Sequence, residues 1–204
     1  MIRSPTAGTR VPGPPPAVTQ EPWFTAAPAL SARNPVPGAA PDACTQQLGV
    51  PGRWYGRLPH FRPEFKPSAG HELQSEYLLP VAHAVPALHA LDDVRDRLAT
   101  VLQICEIRAV AADDLWLSTC YRQDSVAFHC TWIADPVAVL PVVSLLERQL
   151  APFAPRPHWG KIFTTSPEDL RARYERLPAF LDLMHRLDPS GKFRNAYTAR
   201  CLGV

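Results

Sequence analysis

The sequence predicts an α+β domain: a mixed or antiparallel sheet with helices on one face. Three observations predict it. Strand-length apolar runs come in consecutive pairs, and each pair is followed by a segment whose apolar residues recur at helical spacing. Strands and helices in that order build a layered α+β architecture around one core. The 204 residues, 46% hydrophobic and 20% charged, suffice for one compact domain plus a tail, with no internal repeat and no second domain.

Taken in order, residues 1–40 form a proline-rich leader. Pro5, Pro12, Pro14, Pro15, Pro16, Pro22, Pro28, Pro35 and Pro37 leave no room for a continuous helix or paired strand. The leader is expected to be largely disordered or extended, with Trp23 and Phe24 as local anchors, and residues 41–204 to form the domain. Pro59–Lys66 reads as an irregular strand broken at Pro63. Leu73–Leu79 is a better strand. Val81–Thr100 follows as a helix, with Val85, Leu88, Leu91, Val94, Leu98 and Val101 at helical spacing and Pro86 in an early turn. Leu102–Val110 and Ser125–Ile133 are the next two strands. Asp135 caps a helix with Pro136 at its first position, running to about Leu150. A short strand is expected near Trp159–Phe163. Ser166 then caps another helix, and Leu177–Leu187 is helical up to the Asp188-Pro189 stop.

The bulk chemistry excludes several roles. A net charge of +2, with basic residues interrupted by acids, gives no footprint for nucleic acid. No run approaches the roughly 20 apolar residues a membrane helix needs. Arg3 and Arg10 lack a following apolar stretch, so no signal peptide is expected. The five cysteines include no C-x-x-C pair, which suggests neither a disulfide framework nor a zinc site. A reducing cytoplasm fits best, with Cys105 and Cys130 as small core residues. Glycine-rich phosphate loops and hydrolase signatures are absent.

Two period-2 pairs carry the chemistry. Glu106 and Arg108 project from one face of an otherwise apolar strand, and His129 and Thr131 repeat the pattern on the next. Either pair alone reads as a satisfied ion pair or core histidine. Together, a carboxylate, a guanidinium, an imidazole and a hydroxyl supply the donors and acceptors a polyhydroxylated ligand needs. His158-Trp159-Gly160-Lys161 adds a tight turn ending in an amine. Asp113, Asp114 and Trp116 read as a loop leaving the Glu-x-Arg strand, without the further spacing a metal site requires.

Seven ordered stretches resemble a known family. They are Leu58-Pro-His-Phe-Arg62, Glu72-Leu-Gln-Ser-Glu-Tyr77, Leu102-Gln-Ile-Cys-Glu-Ile-Arg108, Ala111-Ala-Asp-Asp-Leu-Trp-Leu-Ser118, Phe128-His-Cys-Thr-Trp132, Pro157-His-Trp-Gly-Lys161 and Asp188-Pro-Ser-Gly-Lys-Phe-Arg-Asn195. The chain resembles bacterial alditol oxidases, vanillyl-alcohol-oxidase-like flavoproteins whose C-terminal domain is related to that of the D-arabinono-1,4-lactone oxidases. The resemblance implies the C-terminal substrate domain of an FAD-dependent oxidase that turns a polyol CH–OH into a carbonyl and O₂ into hydrogen peroxide. It implies that Glu106, Arg108 and Thr131 bind substrate hydroxyls. By the same resemblance His129 orients or deprotonates the reacting alcohol, and Lys161 sits beside the FAD and the reacting oxygen. The family's FAD-binding domain precedes this region, and the sequence is expected to lack it, so activity would need that domain as a partner in trans. The rival expectations are a non-catalytic truncated remnant and an aldonolactone oxidase domain.

Overall fold

The computed structural model describes residues 27, 29–34, 40–53, 56–57 and 71–203. The chain divides into two units, Met1–Pro67 and Ser68–Val204. In the described part of the first, the Gln47 side chain holds the Arg33 backbone through its N–H (2.9 Å) and C=O (2.7 Å). Most of the expected leader, the strand expected over Pro59–Lys66 and the stretch Leu58–Arg62 lie outside the described residues.

The second unit is an α+β domain, as the sequence predicts. Among its described residues are four strands, β1 (Leu73–Pro80), β2 (Leu102–Val110), β3 (Ser125–Trp132) and β4 (Arg156–Pro157). They form one antiparallel sheet in the order β2-β3-β1-β4. Period-2 alternation divides its two faces. Tyr77 and Leu79 of β1 and Val126, Phe128, Cys130 and Trp132 of β3 point into the core. They meet Leu91 of helix α1 (Ala84–Asp92) and Val139, Val143, Leu146 and Leu150 of helix α3 (Pro136–Leu150). Trp132 is fully buried, and its indole N–H is satisfied by Ser75 at 3.0 Å.

The sequence explains where these elements start. The Asp135 carboxylate accepts from the N–H groups of Val137 (3.0 Å) and Ala138 (3.2 Å), and Pro136 occupies the first turn of α3. Ser166 caps α4 (Pro167–Arg173) by accepting from Asp169 N–H, and α5 spans Leu177–Leu187. A capping box at Asn195 and Thr198 opens α6 (Ala196–Leu202).

Two expectations are corrected. The helix expected over Val81–Thr100 is a 3-10 turn (Val81–His83), α1, and a separate one-turn α2 (Arg95–Leu98). Adjacent carboxylates at Asp92 and Asp93 oppose the negative end of α1. Arg95 ties back to Asp92, bonding its carbonyl and its carboxylate at 3.3 Å each, which favours closing the helix there. The short strand expected near Trp159–Phe163 is instead the two-residue β4. Beyond it the chain follows β1 through only two bonds, His158 N–H to Glu76 C=O and Ile162 N–H to Gln74 C=O, each 2.9 Å. Between them a turn closed by Lys161 N–H on His158 C=O (3.1 Å) lifts residues 159–160 off the ladder.

Cys105 also departs from expectation. Cys130 is buried, but Cys105 is exposed, because β2 is the outer one of the described strands.

Candidate functional site

The face of the sheet turned away from the core carries the polar groups. Register places Glu76, His129 and Glu106 side by side across β1, β3 and β2, with Gln74 opposite Thr131 one step along. Arg108 lies opposite Ala127, which in turn lies opposite Leu78. A methyl group at position 127 leaves room for the guanidinium to cross β3, and Arg108 Nη2 reaches Glu76 Oε1 at 2.7 Å. Its other nitrogen lies 3.6 Å from Glu106 Oε2.

Lys161 comes to the same point from the turn after β4. Its ammonium donates to Glu76 Oε2 at 2.8 Å, and the lysine side chain is only 16% exposed. Glu76 therefore holds two cations, one on each oxygen. Burial alone would raise its pKa, but the hydrogen bond and charge of Lys161, with the charges of Arg108 and His129, outweigh burial and hold it below the ordinary carboxylate value.

His129 sits between the two carboxylates. Its Nδ1 is 3.1 Å from Glu106 Oε2 and its Nε2 is 3.3 Å from Gln74 Oε1. Burial first, then the charge of Lys161, lowers its pKa against the opposing hydrogen bond from Glu106. At neutral pH the ring is consequently neutral. Nδ1 faces the Glu106 carboxylate oxygen and Nε2 faces the Gln74 amide oxygen, so each ring nitrogen meets an acceptor. The Gln74 NH₂ group turns the other way, donating to Glu72 Oε1 at 3.4 Å.

The surroundings hold this cluster in place. The β2–β3 connection folds over the far end of the face, where Leu78, Ala127 and Cys120 form a small buried cluster. Asp113 organises that loop by accepting from Leu115 N–H (3.0 Å) and the Ser118 hydroxyl, which is how its carboxylate is used. Arg156 bonds the carbonyls of Thr119 and Tyr121, Trp159 bonds that of Leu117 at 2.9 Å, and Arg176 stacks on Trp116 at 4.7 Å. Gly160 allows the turn to close. A Cβ there would lie 3.2 Å from His158 Cε1, and Gly160 N–H already donates to His158 Nδ1 at 3.0 Å. Beside the cluster is a cavity of about 760 Å³ whose wall includes Gln74, Trp159, Lys161, Phe163, Tyr197 and Arg200. It shares Gln74 and Lys161 with the cluster, while His129, Glu106 and Arg108 stand outside it on the sheet face.

The structure thus brings Glu106, Arg108, His129 and Lys161 into one network, with Thr131 half-buried on the same face. Sequence reading missed Glu76 and Gln74 as members. Their signal was available, since Gln74 and Glu76 are themselves two apart on a strand.

Two carboxylates, a guanidinium and an ammonium thus surround a histidine on the face of the α+β layer turned from the core. Residues 71–201 match the family model for D-arabinono-1,4-lactone oxidase, and the chain belongs to that family. It is 60% identical over 176 residues to an alditol oxidase of Streptomyces sp. (strain IKD472 / FERM P-14339), covering 86% of this chain and 42% of that protein. It is 34% identical over 134 residues to an L-gulono-1,4-lactone dehydrogenase of Mycobacterium tuberculosis, covering 64% of this chain and 30% of that protein. An L-gulonolactone oxidase of Scyliorhinus torazame is 32% identical over 128 residues, covering 60% of this chain and 29% of that protein. The chain spans less than half the length of these relatives. Among the described residues, no helix is long and apolar enough to cross a membrane.

Proposed function

We propose that this domain is the substrate-binding part of an FAD-dependent alditol-oxidase-type oxidoreductase, acting on a polyol CH–OH with O₂ as acceptor and hydrogen peroxide as product. The observation that carries the reading is His129 at the centre of the polar face, its pKa lowered, its Nδ1 held against Glu106 and its Nε2 against the Gln74 side chain that a ligand hydroxyl would displace. The higher identity to the alditol oxidase than to the lactone-acting relatives supports a polyol over a lactone.

FAD is implied by the family, and the residues present fit it at one position. Lys161 places a cation where the polar cluster meets a cavity walled by aromatic side chains, which suits a flat ring that gains negative charge on reduction. When bound, the flavin supplies the hydride acceptor. His129 Nε2 takes the hydroxyl proton, displacing Gln74 as its partner, and such a base contributes about 10²–10⁴ in rate. Glu106 is then a positioning residue that holds the imidazole and stabilises its protonated form. Arg108 and Thr131 offer donors to neighbouring hydroxyls, and Lys161 stabilises an alkoxide-like oxygen. The FAD-binding domain is a separate module in this reading, joined in cis or supplied in trans, and the substrate domain without it turns over nothing.

The test combines this chain with the flavin-binding portion of the Streptomyces alditol oxidase and measures peroxide. Xylitol or sorbitol is expected to yield peroxide, and His129→Asn to reduce the rate by about 10²–10⁴. Turnover of an aldonolactone but not of open-chain polyols would move the assignment to the lactone oxidases. A combination that binds flavin yet oxidises neither substrate would leave a non-catalytic remnant as the better reading.

A further inference from the structure

Immediately behind the Glu106–His129 contact, the next residues along the same two strands are a pair of cysteines. Cys105 of β2 and Cys130 of β3 are direct cross-strand partners. Residues opposed in an antiparallel pair have Cα atoms about 4.5–5.5 Å apart, inside the roughly 4.4–6.8 Å a disulfide spans. Both side chains project to the core side of the sheet, since Glu106 and His129 project to the other. Their exposures differ: Cys105 is open to solvent, whereas Cys130 is 3% exposed.

We propose that Cys105 and Cys130 form a peroxide-oxidisable dithiol, with Cys105 as the thiol that is oxidised first and Cys130 as the one that resolves it into a disulfide. The hydrogen bond from the Cys130 thiol lowers the Cys105 pKa, against burial and the nearby Glu106, and raises that of Cys130. A lowered, accessible thiol is the more reactive of a pair. The Cys105 thiolate attacks one oxygen of hydrogen peroxide, forming S–O and breaking O–O, and the departing hydroxide takes a proton to become water. Cys130 sulfur then gives up its proton and attacks the Cys105 sulfur, forming S–S and releasing the hydroxyl as a second water. Two thiols lose two electrons in all, and one peroxide becomes two waters.

The site needs no FAD and no turnover. The proposed oxidase reading matters to it only as a source of peroxide, so either can fail without the other. What the bridge would do follows from its place: β2 is held in the sheet only by β3 among the described strands, and a covalent tie at 105–130 pins it one residue from the Glu106–His129 contact.

The experiment uses the full chain, reduced, freed of reductant, and given stoichiometric hydrogen peroxide. Free thiols are counted after denaturation, and bridged peptides are mapped by mass spectrometry. Two of the five thiols should disappear together, with Cys105 and Cys130 joined in one disulfide-linked peptide pair. In Cys130→Ala, Cys105 should accumulate as a sulfenic acid captured by a dimedone-type probe, and Cys105→Ala should leave Cys130 unoxidised. Oxidation of Cys105 to sulfinic acid in the unsubstituted chain without a bridge would overturn the proposal. So would Cys105 linking to another copy of the chain, or retention of all five thiols. Because the mapping is done on the unsubstituted chain, it decides the matter even if a variant does not fold.

Discussion

Glu76 is the residue on which the polar face turns, and it makes that face sensitive to acid. Its carboxylate is 9% exposed and bonded to a cation at each oxygen, but the Arg108 arm is 41% exposed and screened, so the Lys161 arm carries more of the stabilisation. Glu76→Gln should cost about 2–3 kcal/mol in urea unfolding at neutral pH, in the range for hydrogen bonds to charged groups. The sign with pH follows from the depressed pKa. The stabilisation is complete above the unfolded value near 4.5 and is lost as pH falls through the lower folded value. The unsubstituted chain should therefore lose more stability than Glu76→Gln on acidification below about pH 4.5. Parallel pH profiles for the two would contradict the assignment. His129 is testable alone by NMR titration of its ring protons. Its midpoint should lie below the ordinary 6.5, fall further in Glu106→Gln, which removes a raising influence, and rise in Lys161→Met, which removes a lowering one. The same residues show what the sequence hid. Period-2 spacing exposed Glu106 with Arg108 and His129 with Thr131, yet the identical spacing of Gln74 and Glu76 went unused. It is visible as a site only when register sets β1 against β3.

At the scale of elements, the parts governed by local chemistry were legible and those governed by pairing were not. β2 was read to its observed bounds, and α3, α4 and α5 start where their caps or prolines say they should. The caps are local events, with donor and acceptor two or three residues apart. Asp135→Ala should consequently destabilise the domain by about 1 kcal/mol, as loss of an N-cap does, seen as a lower urea midpoint with an unchanged slope. A changed slope would mean that α3 and the core it covers no longer unfold as one. The misreadings arise where the deciding contact is not local. Helical periodicity ran through residues 92–95 because the apolar positions stay in phase there, whereas the break is set by two carboxylates and the return of Arg95. Trp159–Phe163 looked like a strand because it is apolar and short. Its turn is dictated by Gly160 against His158 and by the Trp159 indole reaching the Leu117 carbonyl. Cys105 looked like core because its neighbours are apolar, and only strand order reveals that β2 lies at the edge of the described strands.

For the whole molecule, the sheet is a partition. Apolar packing lies on one side of β1 and β3 and the charged network on the other, and the two share no side-chain partner at Val143 and Glu76. Residues separated in this way contribute independently, while residues of one network do not. Val143→Ala removes two buried carbons and should cost about 2 kcal/mol. Combined with Glu76→Gln, the loss should equal the sum of the single losses to within about 0.5 kcal/mol. Glu76→Gln with Lys161→Met should instead cost clearly less than the sum, because each change alone already breaks the same ion pair. Urea unfolding of the three single and two double variants against the unsubstituted chain measures both couplings. A large coupling between Val143 and Glu76 would mean that the strands transmit packing changes into the site. In that case substitutions in the core would alter ligand affinity as well as stability, and the face could not be redesigned apart from the layer that supports it.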